Sequence, residues 1–314
     1  MIYAVGLTYG QKHEEMLEMD KMAFPYTCYY REMNRKFNAV VPWHWHKSIE
    51  MDYLLEGKME LVMPEQTLLL KAGDICFINS ELLHSFHITQ TAECCRFYAH
   101  LFDASLLYGM PNSQIQQKYI LPVLGNPSVT TVHFPDGSRK HREIEKVFLD
   151  IVKKDQEHPW GYEFSVREGL SKLWCLMFED FCSGRETVLY KEEAGSKRVK
   201  EMLRYVHEHF REPLSLKNIA GASGVSPQEC MRCFRKNIHL SPIAYLTEYR
   251  VRMAAEELLH TDQSILTISE NCGFSSNSYF TKVFQKIMGT TPSAYRKNCL
   301  KDGRIPSSKR YGIS

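Results

Sequence analysis

The sequence predicts an α+β chain: a β-rich unit of short strands, a helical segment, and an all-α domain built on a duplicated unit. Three observations carry that expectation. Short apolar runs separated by turn residues fill residues 25–105. The apolar period becomes helical near residue 139. Finally, Phe234-Arg235-Lys236-Asn237-Ile238-His239-Leu240-Ser241-Pro242-Ile243-Ala244-Tyr245 returns at an offset of 50 residues as Phe284-Gln285-Lys286-Ile287-Met288-Gly289-Thr290-Thr291-Pro292-Ser293-Ala294-Tyr295, with Phe, Lys, Pro, Ala and Tyr matched in place.

The strand runs are 40–41, 51–55, 59–63, 67–70, 75–78 and 96–102, punctuated by Gly57, Pro64, Gly73-Asp74 and Asn79-Ser80. Many short strands between regular turns make a sandwich or a small barrel. Ile144, Val147, Phe148, Ile151 and Val152 then form one apolar stripe, and 164–181 carries a richer one with Leu170, Leu173, Trp174, Met177 and Phe178. Such stripes need a covering surface. They either pack back on the β-unit or form a homodimer seam; the seam is the expectation, with Leu170, Leu173 and Met177 in it. Polar residues bounded by glycines mark a linker at 184–196, and the Gly/Ser/Lys-rich residues 301–314 read as a frayed tail. The chain therefore divides into a β-unit at 1–137, a helical dimerisation segment at 138–183, the linker, and an all-α domain at 197–300.

Charge follows this division. Residues 196–314 hold 19 Lys/Arg against 10 Asp/Glu, while residues 1–195 hold 20 against 27. A basic module beside an acidic one points to a polyanion for the C-terminal part alone. MIYAVGLTYGQKHEEM has no basic stretch leading into an apolar one, and no run is long and apolar enough for a membrane span. The ten cysteines are scattered, and Cys230 and Cys233 have no second pair at zinc-site spacing. Free thiols in a cytoplasmic protein are expected.

Upstream of each repeat lies a helix-turn-helix pattern, Ala220 with Gly224 and Ser269 with Gly273, a small residue for close helix approach and a glycine for the turn. Ser226-Pro227 and Ser241-Pro242 are cap-plus-first-residue pairs that start helices. The first recognition helix spans 227–237. Cys230, Cys233 and Phe234 pack inward, and Pro227, Gln228, Met231, Arg232 and Arg235 are available to DNA. The second spans 277–288. Tyr279, Phe280, Val283, Phe284 and Ile287 pack inward, and Ser276, Asn277, Ser278, Thr281, Lys282 and Gln285 face out. Asn and Gln can pair with adenine edges, and Arg and Lys with guanine, so both faces suit the major groove of double-stranded DNA.

Residues 198–297 resemble the DNA-binding domain of the AraC/XylS transcription regulators. The carrying residues are Leu216-x-x-Ile219-Ala220, Gly224-Val225-Ser226, Phe234-Arg235-Lys236, Arg250-x-x-x-Ala254-x-x-x-Leu258-Leu259, Ile268-Ser269-x-x-x-Gly273-Phe274, Ser278-Tyr279-Phe280 and Gly289-Thr290-Thr291-Pro292-x-x-Tyr295-Arg296. The resemblance implies a long helix at 242–260 joining two units that enter successive major grooves. It also implies a small-molecule effector, a homodimer and contact with RNA polymerase. Ser269 departs from the family's usual alanine, a change small enough to keep the packing.

Pro42-Trp43-His44-Trp45-His46-Lys47-Ser48-Ile49-Glu50 is the other informative segment. His44 and His46 share a side on a strand, Glu50 follows in phase, and Trp43 and Trp45 face the opposite way, toward helices. The spacing to Gly57 resembles the first cupin motif. Gly73 and His84 fit the second, although Asn79 and Glu81 replace its proline and glycine. This implies a cupin-like β-barrel gathering His44, His46, Glu50 and His84, a set that suits a divalent transition metal such as Zn, Mn, Fe or Ni. The same four, with Glu81 and Arg96, are the candidate effector contacts. The function expected is a ligand-responsive, sequence-specific transcription regulator, not an enzyme, whose effector could be a sugar. The alternatives are a cupin metalloenzyme fused to a DNA-binding module, and a DNA-binding protein with a purely structural barrel.

Overall fold

The computed structural model describes residues 23–35, 39–126, 128–182 and 194–301. Among the described residues, nine strands form two antiparallel sheets. β1 (Tyr26–Asn34), β8 (Cys94–Phe102), β3 (Ile49–Glu56), β6 (Ile75–Ile78) and β9 (Thr131–Phe134) make the larger, in the order β1-β8-β3-β6-β9. β2 (Val40–His44), β7 (His84–Ile88), β4 (Lys58–Val62) and β5 (Thr67–Lys71) make the smaller, in the order β2-β7-β4-β5. The hydrogen-bonded ladders thus form a two-sheet sandwich of cupin type, where the sequence allowed a sandwich or a barrel. β1, β7 and β9 lie outside the expected strand runs. β1 mixes polar and aromatic side chains and is held by a nine-residue register against β8, a partner far along the chain.

Between the sheets lie Met33, Leu54, Met59, Leu61, Leu70, Ile78, Phe86, Phe97 and Leu101. Strand alternation sends their neighbours Met51, Tyr53, Ile75 and Phe77 to the outer face of the larger sheet. That face is covered by helices. The short α1 (Ser105–Tyr108) and α2 (Leu121–Leu124), the latter continuing a wider turn at Gln116–Ile120, precede the long α3 (His141–Glu157) and α4 (Tyr162–Cys182). Leu170 and Leu173 are 0% exposed and Met177 6%, packed in one core with Phe77, Phe148, Trp174 and Phe178. The stripe expected at a homodimer seam is therefore covered within the chain. The sheet's outer face and the stripe are both apolar, and intramolecular closure buries both at once.

The rest is helical: α5 (Ala194–His209), α6 (Leu216–Ala222), α7 (Pro227–Asn237), α8 (Pro242–His260), α9 (Ile265–Asn271), α10 (Asn277–Met288) and α11 (Pro292–Lys301). The expected linker mostly falls outside the described residues, as does the tail beyond Lys301; α5 begins at Ala194, inside the expected linker boundary. Serines start the helices. Ser215, Ser226, Ser241, Ser264 and Ser276 each accept a backbone N–H three residues on, satisfying a donor that the helix itself cannot.

Both helix-turn-helix turns use a glycine at positive φ, Gly224 at 62° and Gly273 at 80°. At Gly273 room matters as well: a Cβ there would sit 2.6 Å from the Phe210 carbonyl oxygen. Ser269 is 1% exposed, and its hydroxyl donates to the Leu266 carbonyl at 2.8 Å, so the extra oxygen is satisfied inside the packed face.

Two cores divide the helical domain. α9, α10 and the C-terminal half of α8 form one with Phe274, Phe280 and Phe284. The other joins α5, α6, α7 and the start of α8, and it continues into the sandwich through Trp43, Trp45, Val62 and Leu83. The tryptophans do face helices, and those helices belong to the C-terminal domain.

Candidate metal centre and nucleic-acid interface

His44 ends β2, His46 follows in the connection to β3, Glu50 is the second residue of β3, and His84 opens β7 opposite His44. The four come from both sheets and converge between them. One potential ligand atom from each lies within 4.8 Å of all the others. Exposures are 1%, 2%, 0% and 0%.

The geometry fixes which nitrogen faces the cluster. Nδ1 of His44 lies 2.7 Å from the Pro42 carbonyl, that of His46 2.9 Å from the Ser48 carbonyl, and that of His84 2.9 Å from the Leu82 carbonyl. A carbonyl only accepts, so each Nδ1 donates and carries the proton. In a neutral ring Nε2 then presents its lone pair. His46 Nε2 and His84 Nε2 stand 2.9 and 3.2 Å from the same oxygen, Glu50 Oε2. Lone pairs aimed at a carboxylate repel, so a positive charge must sit among them, either a proton or a metal ion. Glu50 Oε1 is buried and meets no hydrogen-bond donor among the described residues. This donor set fits a divalent transition metal, with outer hydrogen bonds orienting the ligands.

The electrostatics agree. Burial holds the His44 imidazole well below its ordinary range, and its two histidine neighbours add to the effect, so His44 is neutral at pH 7. Burial alone would raise the Glu50 carboxyl, but a proton held between it and the Nε2 atoms of His46 and His84 in the metal-free chain brings it well below the usual carboxylate range. Asp52, two residues on and 1% exposed, is pushed well up by burial and by the Glu50 charge. Asp52, with Cys76 Sγ 3.7 Å from its Oδ2, extends the polar interior beyond the four expected residues. Its signal in the sequence is phase: Glu50 and Asp52 leave β3 on the same side.

The other two expected effector contacts are elsewhere. Arg96 lies between the inward Cys95 and Phe97, so its side chain points outward, 3.3 Å from Glu32 and 2.7 Å from Glu56. Glu81 is exposed in a turn at φ 62°, and only its backbone N–H approaches the site, donating to the His46 carbonyl at 2.7 Å.

In the helical domain, Pro227, Gln228, Arg232, Arg235, Ser276, Asn277, Ser278 and Lys282 are exposed, and Met231 and Thr281 are half-buried. Cys230, Cys233 and Phe234 are buried beneath the first set, and Phe280 and Phe284 beneath the second. Tyr279 departs from the expected packing. It is 52% exposed, its ring tilted 6.3 Å from Phe274, because it lies in the first turn of α10 at the border of the apolar stripe. Arg232 is engaged in the free protein: its guanidinium makes two bonds to the Glu229 carboxylate, at 2.8 and 2.7 Å. Those bonds hold the Glu229 carboxyl down to about 2.

Two arginines that motif reading recorded without a role are structural. Arg250 donates to the Phe210 and Glu212 carbonyls beyond α5, and Arg296 to the Leu258, Thr261 and Gln263 carbonyls at the end of α8. Each closes a helix end that lacks internal donors.

Residues 219–298 match the Helix-turn-helix domain family and residues 33–100 the Cupin domain family. The chain is 27% identical to the uncharacterized HTH-type transcriptional regulator YdeC of Bacillus subtilis, over 91% of this chain and 97% of that protein. It is 22% identical to the melibiose operon regulatory protein of Escherichia coli, over 85% of this chain and 88% of that protein. Among solved structures, fatty-acid-bound ToxT of Vibrio cholerae aligns with a TM-score of 0.47 at 13% identity, over 86% of this chain and 94% of that one.

Proposed function

We propose, for a chain that joins an AraC-type helix-turn-helix domain to an N-terminal cupin domain, that it is a ligand-responsive, sequence-specific transcription regulator whose cupin site holds a divalent metal ion. The observation that carries the metal reading is the convergence of three Nε2 lone pairs and one carboxylate in a buried space. His44, His46, Glu50 and His84 would hold the ion. When bound, it supplies a Lewis-acidic position for an oxygen or nitrogen atom of a small effector. A sugar, with its adjacent hydroxyls, is one chemistry that suits it, and the name of the melibiose operon relative supports that class.

The DNA reading rests on two exposed helix faces of matching design, α7 with Gln228, Arg232 and Arg235, and α10 with Asn277, Ser278, Thr281 and Lys282. These would enter two successive major grooves, the capped N-termini toward phosphates. Regulation then follows as a shift between arrangements of the two domains. We read the chain as a sensor, not a catalyst, acting in the cytoplasm with RNA polymerase. Among the described residues no helix is long and apolar enough to cross a membrane. A second copy of the chain would need a face other than Leu170, Leu173 and Met177; Trp160 and Phe164, 100% and 78% exposed, offer one.

The deciding experiment is elemental analysis of protein purified without tag or chelator, paired with operator selection from random DNA. Stoichiometric metal and a recovered consensus support the reading. Protein that takes up no metal when supplied with it sinks the metal part, and failure to enrich any sequence sinks the regulator.

A further inference from the structure

We propose that β2 couples the His–Glu cluster to the first helix-turn-helix unit, so that an ion bound at the cluster sets how that unit docks on the sandwich. This rests on the metal reading above and adds its route of regulation. Along Trp43 to His46, where β2 gives way to the connection that follows it, the side chains divide between two sides. His44 and His46 enter the cluster, while Trp43 and Trp45, 5% and 3% exposed, enter the core shared with α5, α7 and α8. Trp45 stacks 6.4 Å from the His207 ring, and Trp43 lies 6.3 Å from His239. The Tyr245 hydroxyl is 2.6 Å from His207 Nε2 and 3.5 Å from the Trp43 carbonyl oxygen. Arg252 donates to the Val40 carbonyl at 3.3 Å, and Lys236, at the end of the first recognition helix, stands 3.9 Å from Glu65. One short run of backbone therefore carries ligands on one side and the domain contact on the other.

The run is also irregular in its pairing. Its ladder to β7 is interrupted between Val41 and His44. Both ligand rings are tied to its own peptides, His44 to Pro42 and His46 to Ser48, so turning a ring toward an ion pulls on the backbone that bears the tryptophans. Beside Trp43, between the domains, is a cavity of about 180 Å³ lined by Val62, Ser85, His87, Tyr245 and Arg252. Interiors packed without such gaps resist displacement, and this one leaves space for a side-chain shift. Gln228, Arg232 and Arg235 stay exposed while the domains are docked. Docking thus orients the first reading head without covering it.

Coupling is reciprocal, so changes on the DNA-domain side must alter affinity at the cluster. The test is a Zn(II) titration, against a chromophoric chelator, of the full-length chain and of Tyr245→Phe and Arg252→Gln, neither of which touches a proposed ligand. Tryptophan fluorescence in a Trp160→Phe/Trp174→Phe background reports Trp43 and Trp45, and circular dichroism checks folding. The expected result is a Zn(II)-dependent change in that fluorescence and a shift in Zn(II) affinity of at least about five-fold in one or both variants. Zn(II) uptake with unchanged affinity in both folded variants and unmoved fluorescence overturns the coupling alone. A wild-type chain that takes up no Zn(II) overturns the metal reading and the coupling with it.

Discussion

At the scale of single residues, the cluster's chemistry depends on three Nδ1–H donors that turn three Nε2 atoms inward. His46→Ala should remove most of the bound metal, seen by elemental analysis, with the helical domain's circular dichroism retained. Protons compete for the same nitrogens, so metal affinity should fall on acidification, with His44 giving up its lone pair only well below the ordinary histidine range; an affinity that stays flat across the whole acidic range in which the chain remains folded would count against histidine ligation. His100 gives a second titration, away from the cluster. Burial lowers it to about 4, despite a bond to the Phe148 carbonyl. Its folded value lies below its unfolded one, so its contribution is fully present above about pH 6.5 and is lost as pH falls through about 4. The full contribution is on the order of 3 kcal/mol. His100→Gln should flatten the acid limb of stability in that window, measured by urea unfolding at each pH. Of the cluster, His44, His46 and Glu50 were legible because their spacing is local, and His84 because it stands where the second cupin motif has its histidine. Arg96 was misjudged because its direction follows from alternation along β8, whose inward phase is set by partners on β1 and β3.

At the scale of elements, α7 and α10, the proposed reading heads, share one design and differ in their resting states. Arg232 must leave Glu229 to meet a base. Arg232→Ala and Lys282→Ala should each weaken specific binding by roughly 1–3 kcal/mol. Glu229→Gln should strengthen binding to unrelated DNA by freeing that guanidinium. Gel-shift titrations with specific and random duplexes measure all three, and full affinity in the Arg232→Ala/Lys282→Ala double variant would move the interface elsewhere. For α4 the decisive fact is burial. Leu173→Asp places a charge in a dry core and should destabilise the chain by at least about 3 kcal/mol. Calorimetry should show a large fall in the melting temperature. A folded monomer at unchanged temperature in place of a dimer would restore the seam. The starts of α7 and α8 were readable from their Ser-Pro caps. The destination of α4's apolar stripe was not, because a stripe records the need for a partner and not which partner meets it.

At the scale of the whole molecule, charge and packing divide the labour. The C-terminal part holds the basic excess and both proposed reading faces, while the N-terminal part is acidic and holds the buried cluster. DNA affinity of the full chain should fall steeply with added KCl, and the slope should shrink by about one for each phosphate contact removed by substitution. Titrations at several salt concentrations check this, and an affinity insensitive to salt would exclude the proposed interface. What the sequence by itself determined is the local content: a duplicated capped helical unit, the strand-rich half, and a His-x-His-to-Glu spacing; the structure breaks the expected single strand at His44, so that His46 stands in a connection and Glu50 on the next strand. What only the tertiary structure decided is which surfaces meet. It assigned the α4 stripe to the chain's own sheet, paired His84 with His44 across a ladder, and set Trp43 and Trp45 against the DNA-binding domain. The physical reason is that apolar burial is non-directional: pattern tells which face must be covered, and the choice among covering surfaces is made by the packing of residues distant in the chain.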